Sequence, residues 1–120
     1  MACTFSQLYA QVVFAVKGVR DHIHIFIGLK PSMSVSDLVR DIKNSSSNFI
    51  NSKKYVKGRF SWQEGFGSFT YGQSQIEAVY NYISNQEAHH QKKTFKEEYI
   101  DMLEKFQVKY NEKYLFDWIE

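Results

Sequence analysis

Asp21-His22-Ile23-His24-Ile25-Phe26-Ile27 is the stretch on which the fold turns. Its apolar residues recur with a period of two. It therefore reads as a β-strand with Ile23, Ile25 and Ile27 on one face and His22, His24 and Phe26 on the other. Gly28 and Pro31 stop it. Just upstream, Gln7 to Val16 is rich in Val, Ala and aromatic residues and ends at Lys17-Gly18, a strand running into a turn. Two strands this close together predict an antiparallel hairpin, because a parallel crossover needs roughly a dozen residues or more.

Downstream, Ser34-Val35-Ser36-Asp37 has the pattern of a helix start, and Leu38, Ile42 and Phe49 form the apolar stripe behind it. Ser45-Ser46-Ser47 are poor helix formers, so this helix either fades there or runs to about Ile50. Asn51 to Arg59 reads as a polar, basic loop. Phe60 to Tyr71, aromatics interleaved with Gly and Ser, reads as one strand or a bulged pair. Ser74-Gln75-Ile76-Glu77 predicts a second helix to roughly His90, with Ile76, Val79, Tyr80 and Ile83 buried. Thr94-Phe95-Lys96-Glu97 starts a third toward Lys105. Tyr114 to Ile119 is too apolar for a free tail and is expected to pack on the domain or on a partner.

A chain of 120 residues is read as one domain. Its ten Phe, eight Tyr and two Trp, 17% of the chain, suit both an aromatic core and stacking on unpaired bases. A net charge of +2 permits nucleic-acid binding without demanding it. The single Cys3 excludes an internal disulfide framework, so a reducing, cytoplasmic setting is expected. The N-terminal stretch resembles neither a signal peptide nor a membrane span.

Three features carry chemistry. Alternation places His22 and His24 on one side of a strand, near enough to share a divalent ion, although a polar sheet face explains the pair as well. Tyr82 and Gln86 line one flank of their helix, where a tyrosine reaches past the packed stripe, though plain packing is the commoner role. Arg40, Lys43, Lys53, Lys54, Lys57 and Arg59 suit a phosphate backbone, although a solvated surface is the commoner explanation of such a run. Together they supply what tyrosine attack on a phosphodiester needs: a phenol, a site for a hard cation, and basic groups that hold the strand.

The residues Asp21 to Phe26 resemble the metal-binding strand of the single-tyrosine, His-hydrophobic-His transposases of the insertion-sequence and REP-associated type. Val79-Tyr80-Asn81-Tyr82-Ile83-Ser84-Asn85-Gln86 is similar to their nucleophile helix, with its Tyr-Ile-x-Asn-Gln signature. Ser36 to Arg40 and Ser61 to Phe69 also match. The resemblance implies a ferredoxin-like (RRM-like) α+β fold and cleavage and rejoining of single-stranded DNA beside hairpins, through a 5′-phosphotyrosine. It implies Tyr82 as nucleophile, His22, His24 and Gln86 as ligands of Mg²⁺ or Mn²⁺, a homodimer, and no nucleotide cofactor.

That family's order is β-α-β-β-α-β followed by the tyrosine helix. Here the residues between 16 and 22 leave no room for the first helix and second strand. The expected fold is therefore β-β-α-β plus the tyrosine helix and one more helix. In a sheet of order 4-1-3-2 the first and third strands are antiparallel neighbours, which a short turn joins directly. Losing the helix uncovers sheet surface, so reduced stability, a tight dimer, or both are expected. The alternative reading is an inactive remnant that still binds nucleic acid.

Overall fold

The computed structural model describes residues 7–86, 93–111 and 115–116. The hairpin is present, as β1 (Leu8–Ala15) and β2 (His22–Leu29), paired antiparallel from Leu8↔Leu29 to Ala15↔His22. The connection closes through Val16 N–H to Asp21 O at 2.9 Å, and Gly18 takes φ of 85°, a left-handed conformation that glycine adopts without penalty. Next come α1 (Val35–Lys53), β3 (Gly67–Tyr71), a 3₁₀ turn (Gln73–Gln75), α2 (Ile76–Ser84) and α3 (Phe95–Lys105). The sheet order is β2-β1-β3, all antiparallel. This is a ferredoxin-like sheet without its second strand, and the architecture is α+β.

Alternation sends the strands' side chains to two different covers. Ala10, Val12 and Phe14 of β1 are fully buried on the α1 side, with Val39 beneath the helix and Trp62 edge-on to Phe14 at 4.8 Å. Val13 and Phe69 face the other way, toward Tyr99, Met102 and Leu103 of α3. Phe116 is buried there too, its ring 5.0 Å from Tyr99, so this part of the C-terminal stretch packs on the domain. The α1 side is incompletely covered: Ile23 is 38% and Leu8 47% exposed. Among the described residues no helix is long and apolar enough to cross a membrane.

Several elements differ from the sequence expectation. α1 runs through its serines to Lys53, because Ser46 donates to Ile42 O at 2.6 Å and receives Trp62 Nε1 at 2.9 Å. Tertiary contact offsets their weak propensity. The helix ends at Lys54, whose φ of 54° gives a left-handed cap, so part of the expected basic loop is helical. Phe49 is exposed; the helix packs through buried Val39 with half-buried Val35 and Ile42, and Phe49 meets Tyr55 of the next loop, centroids 5.8 Å apart. Phe60 to Tyr71 splits into a single Val16↔Trp62 bridge and the strand β3. Ser34 and Thr94 cap as expected, but α2 starts differently: Gln75 Oε1 accepts from Gly72 N at 2.9 Å and a 3₁₀ turn leads in. α2 ends at Ser84; residues 87–90 of its expected length lie outside the described residues. Tyr80, expected in the core, is 66% exposed. The helix packs through Val79, and at roughly 100° per residue this rotates Tyr82 inward and Tyr80 out.

Candidate active site

The face opposite α1 carries a polar row across all three strands. Gln11 of β1, 1% exposed, donates through Nε2 to the Tyr71 hydroxyl of β3 at 2.9 Å. Its Oε1 lies 2.6 Å from Nδ1 of His24 on β2, which donates to it. Amide oxygens only accept, so this contact keeps a proton on Nδ1 and leaves Nε2 as the nitrogen that faces α3. His22 lies one alternation away, its ring centroid 5.1 Å from that of His24.

α3 closes over the histidines. Thr94 and Glu97 form a reciprocal capping box that fixes its first turn. Phe95 then stacks on His22 with centroids 3.8 Å apart and planes 10° from parallel. Glu98, three residues on and on the same helix face, is 4% exposed. Its Oε1 sits 3.0 Å from His24 Nε2 and 3.4 Å from His22 Nε2. Tyr99 seats the helix on β3: a Cβ at Gly67 would fall 2.6 Å from the Tyr99 hydroxyl, so this position requires glycine.

α2 contributes the phenol. Tyr82 donates its hydroxyl to Glu98 Oε2 at 2.6 Å, and its ring stands edge-on to His24. Burial pushes the Tyr82 phenol well above its usual range, the Glu98 carboxylate pushes it further, and Gln86 pulls weakly the other way. Burial alone would raise the Glu98 carboxyl, but hydrogen bonds from His22, His24 and Tyr82 outweigh it and hold the group well below the carboxylate range. A cleft of about 480 Å³ opens beside Tyr82 between α2 and α3, floored by Gln11 and Tyr71. Its size is that of a small-ligand pocket.

His22, His24 and Tyr82 thus come together from a strand and a helix 60 residues apart in the case of His22 and Tyr82. Gln86 adjoins them: Nε2 reaches Tyr82 O at 3.4 Å, and buried Oε1 has no hydrogen-bond partner among the described residues. Donor atoms of His22, His24 and Glu98 all lie within 4.8 Å of one another. Two imidazole nitrogens and a carboxylate form a donor set suited to a divalent cation.

The basic residues divide. Lys43 is committed to structure, donating to Gln63 O and Gly65 O at 2.8 Å each and lying over the Phe14 ring. Arg40 is exposed and paired with Asp37 and Asp41. Lys53, Lys54, Lys57 and Arg59 are exposed at the end of α1. Asn51 closes their loop by bonding both backbone groups of Phe60, at 2.7 and 3.0 Å.

The family model described as "Transposase IS200 like" matches residues 2–86. The chain belongs to this family. No curated protein and no solved structure matches it. An IS200-like transposase binds DNA, acts in transposition and uses a divalent metal, and this one has a His22–His24–Glu98 cluster with the chemistry to hold such an ion. The matched region of the transposase stops at Gln86, so α3, with Phe95 and Glu98, lies beyond it.

Sequence reasoning missed Glu98, Phe95 and Gln11. For Glu98 a signal existed. Phe95, Tyr99, Met102, Leu103 and Phe106 make an apolar stripe at helical spacing, and Glu98 is the charged residue within it. Gln11 interrupts a run of small and β-branched residues in the same way.

Proposed function

We propose that this transposase cleaves and rejoins single-stranded DNA at hairpin-bearing element ends, with Tyr82 as nucleophile. The carrying observation is the 2.6 Å contact from the Tyr82 hydroxyl to a carboxylate that also touches both histidines. Tyr82 Oη forms a bond to phosphorus, the bond from phosphorus to the 3′ oxygen breaks, and the products are a 5′-phosphotyrosine and a 3′-hydroxyl. Attack by a 3′-hydroxyl reverses this and rejoins strands, which balances without ATP. The phenolic proton has Glu98 Oε2 within reach.

His22, His24 and Gln86 would hold Mg²⁺ or Mn²⁺, with Gln11 fixing the tautomer of His24. The ion's contribution when bound is to offset charge on the phosphate and the departing oxygen. The cleft beside Tyr82 offers room for a nucleotide, and the Asn51-closed loop of Lys53, Lys54, Lys57 and Arg59, with Arg40, supplies positive charge for the backbone. The exposed Leu8, Val19 and Ile23, and the edge strand β2, support a homodimer. Such a protein works in the cytoplasm, on the cell's DNA.

Incubation with Mn²⁺ and labelled single-stranded hairpin DNA from the flanks of its own gene tests this on a denaturing gel. A slow-migrating covalent adduct is expected, lost in Tyr82→Phe. Hairpin binding without any adduct overturns it in favour of a non-catalytic remnant. That second reading draws on one observation: the Tyr82 phenol is held neutral against Glu98.

A further inference from the structure

The Glu98 carboxylate is deeply buried, and a buried charge persists only where other charges or strong hydrogen bonds compensate it. Its Oε1 faces His24 Nε2 at 3.0 Å. Gln11 accepts the Nδ1 hydrogen bond of His24, so Nε2 is the nitrogen that this ring turns to the carboxylate. His22 Nε2 lies 3.4 Å from the same oxygen. Metal bonds of about 2.1 Å make neighbouring donors about 3.0 to 3.4 Å apart in octahedral and tetrahedral shells. Both observed separations fall in that window.

We infer that Glu98 is itself a ligand of the divalent ion, so that α3, a helix beyond the matched family region, completes the metal site begun by His22 and His24. Oε1 takes the ion and Oε2 holds the Tyr82 hydroxyl, so one carboxylate sets the nucleophile at a fixed distance from the cation. This inference rests on the metal-dependent reading above, but its test needs no DNA.

Mn²⁺ binding to the full chain is measured by calorimetry for the wild type, Glu98→Gln, His24→Ala and Tyr80→Ala, with circular dichroism as the check on folding. Loss of a charged ligand is expected to weaken binding at least tenfold in Glu98→Gln, with Tyr80→Ala, an exposed position outside the site, within threefold of wild type. Affinity unchanged in Glu98→Gln but lost in His24→Ala overturns the role of Glu98 and leaves the metal reading standing. No Mn²⁺ binding by the wild type overturns both. Should Glu98→Gln fail to fold, electron–nuclear double resonance of Mn²⁺ on wild-type chain carrying ¹³C-glutamate decides instead. A resolved ¹³C coupling from a ligating carboxylate is expected, and its absence overturns the assignment.

Discussion

The two faces of this three-stranded sheet are built from the same strands and follow opposite rules. Under α1, Val12 and Phe14 pack with Val39 and Trp62, and the cation that enters, Lys43, is spent on two backbone carbonyls. Under α2 and α3, Gln11, His22, His24, Tyr71, Tyr82 and Glu98 form one row joined by close polar contacts. Adjacent positions of β1 serve both: Gln11 and Val12 are equally buried. The lesson is that burial alone does not say what a residue is for. A change on the first face acts through the folded population, and one in the polar row of the second through the chemistry.

The sharpest way to break this division is Tyr82→Phe, which keeps the ring and removes the nucleophilic oxygen. More than a 10³-fold loss of DNA cleavage is expected, with the far-ultraviolet spectrum of the folded chain retained. Next is Phe14→Ala on the α1 face. Truncating a fully buried Phe costs about 3–5 kcal/mol, so urea denaturation should show a fall of that size, while folded molecules still bind Mn²⁺. A loss of Mn²⁺ affinity in the folded fraction would erase the distinction between faces. Gln11→Leu fills similar space but removes the acceptor for His24 Nδ1. Orienting partners of this kind are worth roughly 10–100-fold in metal affinity, which calorimetry reads directly. Smallest is Tyr80→Ala: two positions from Tyr82 yet 66% exposed, it should shift stability by about 0.5 kcal/mol or less in thermal melts.

The hairpin and the shared face of His22 and His24 were legible in the sequence, because period-two alternation and a short turn are local signals, whereas the sheet order and the pairing of Tyr82 with the histidines came with the family resemblance. Helix rotation was not. Whether Tyr80 or Tyr82 faces the sheet depends on which side of Val79 finds a neighbour, and those neighbours come from distant strands. Phe49 misleads for the same reason, since its partner is a loop tyrosine. Glu98 is the deepest case. It meets His24 across 74 positions of sequence, and its presence in an apolar stripe becomes meaningful only when the opposing face is seen to be polar.

The direct turn from β1 to β2 has a consequence for how the chain reaches its fold. In the longer arrangement, the first strand meets its central partner only after a helix and another strand have been made. Here all eight β1–β2 pairs close within residues 8–29. Loop closure of that length is entropically cheap and hairpins form in about 1–10 μs. The β1–β3 pairs join positions 9–13 to 67–71 and so wait on α1. The direct turn makes this pairing local, which lowers contact order and favours early nucleation at Gly18.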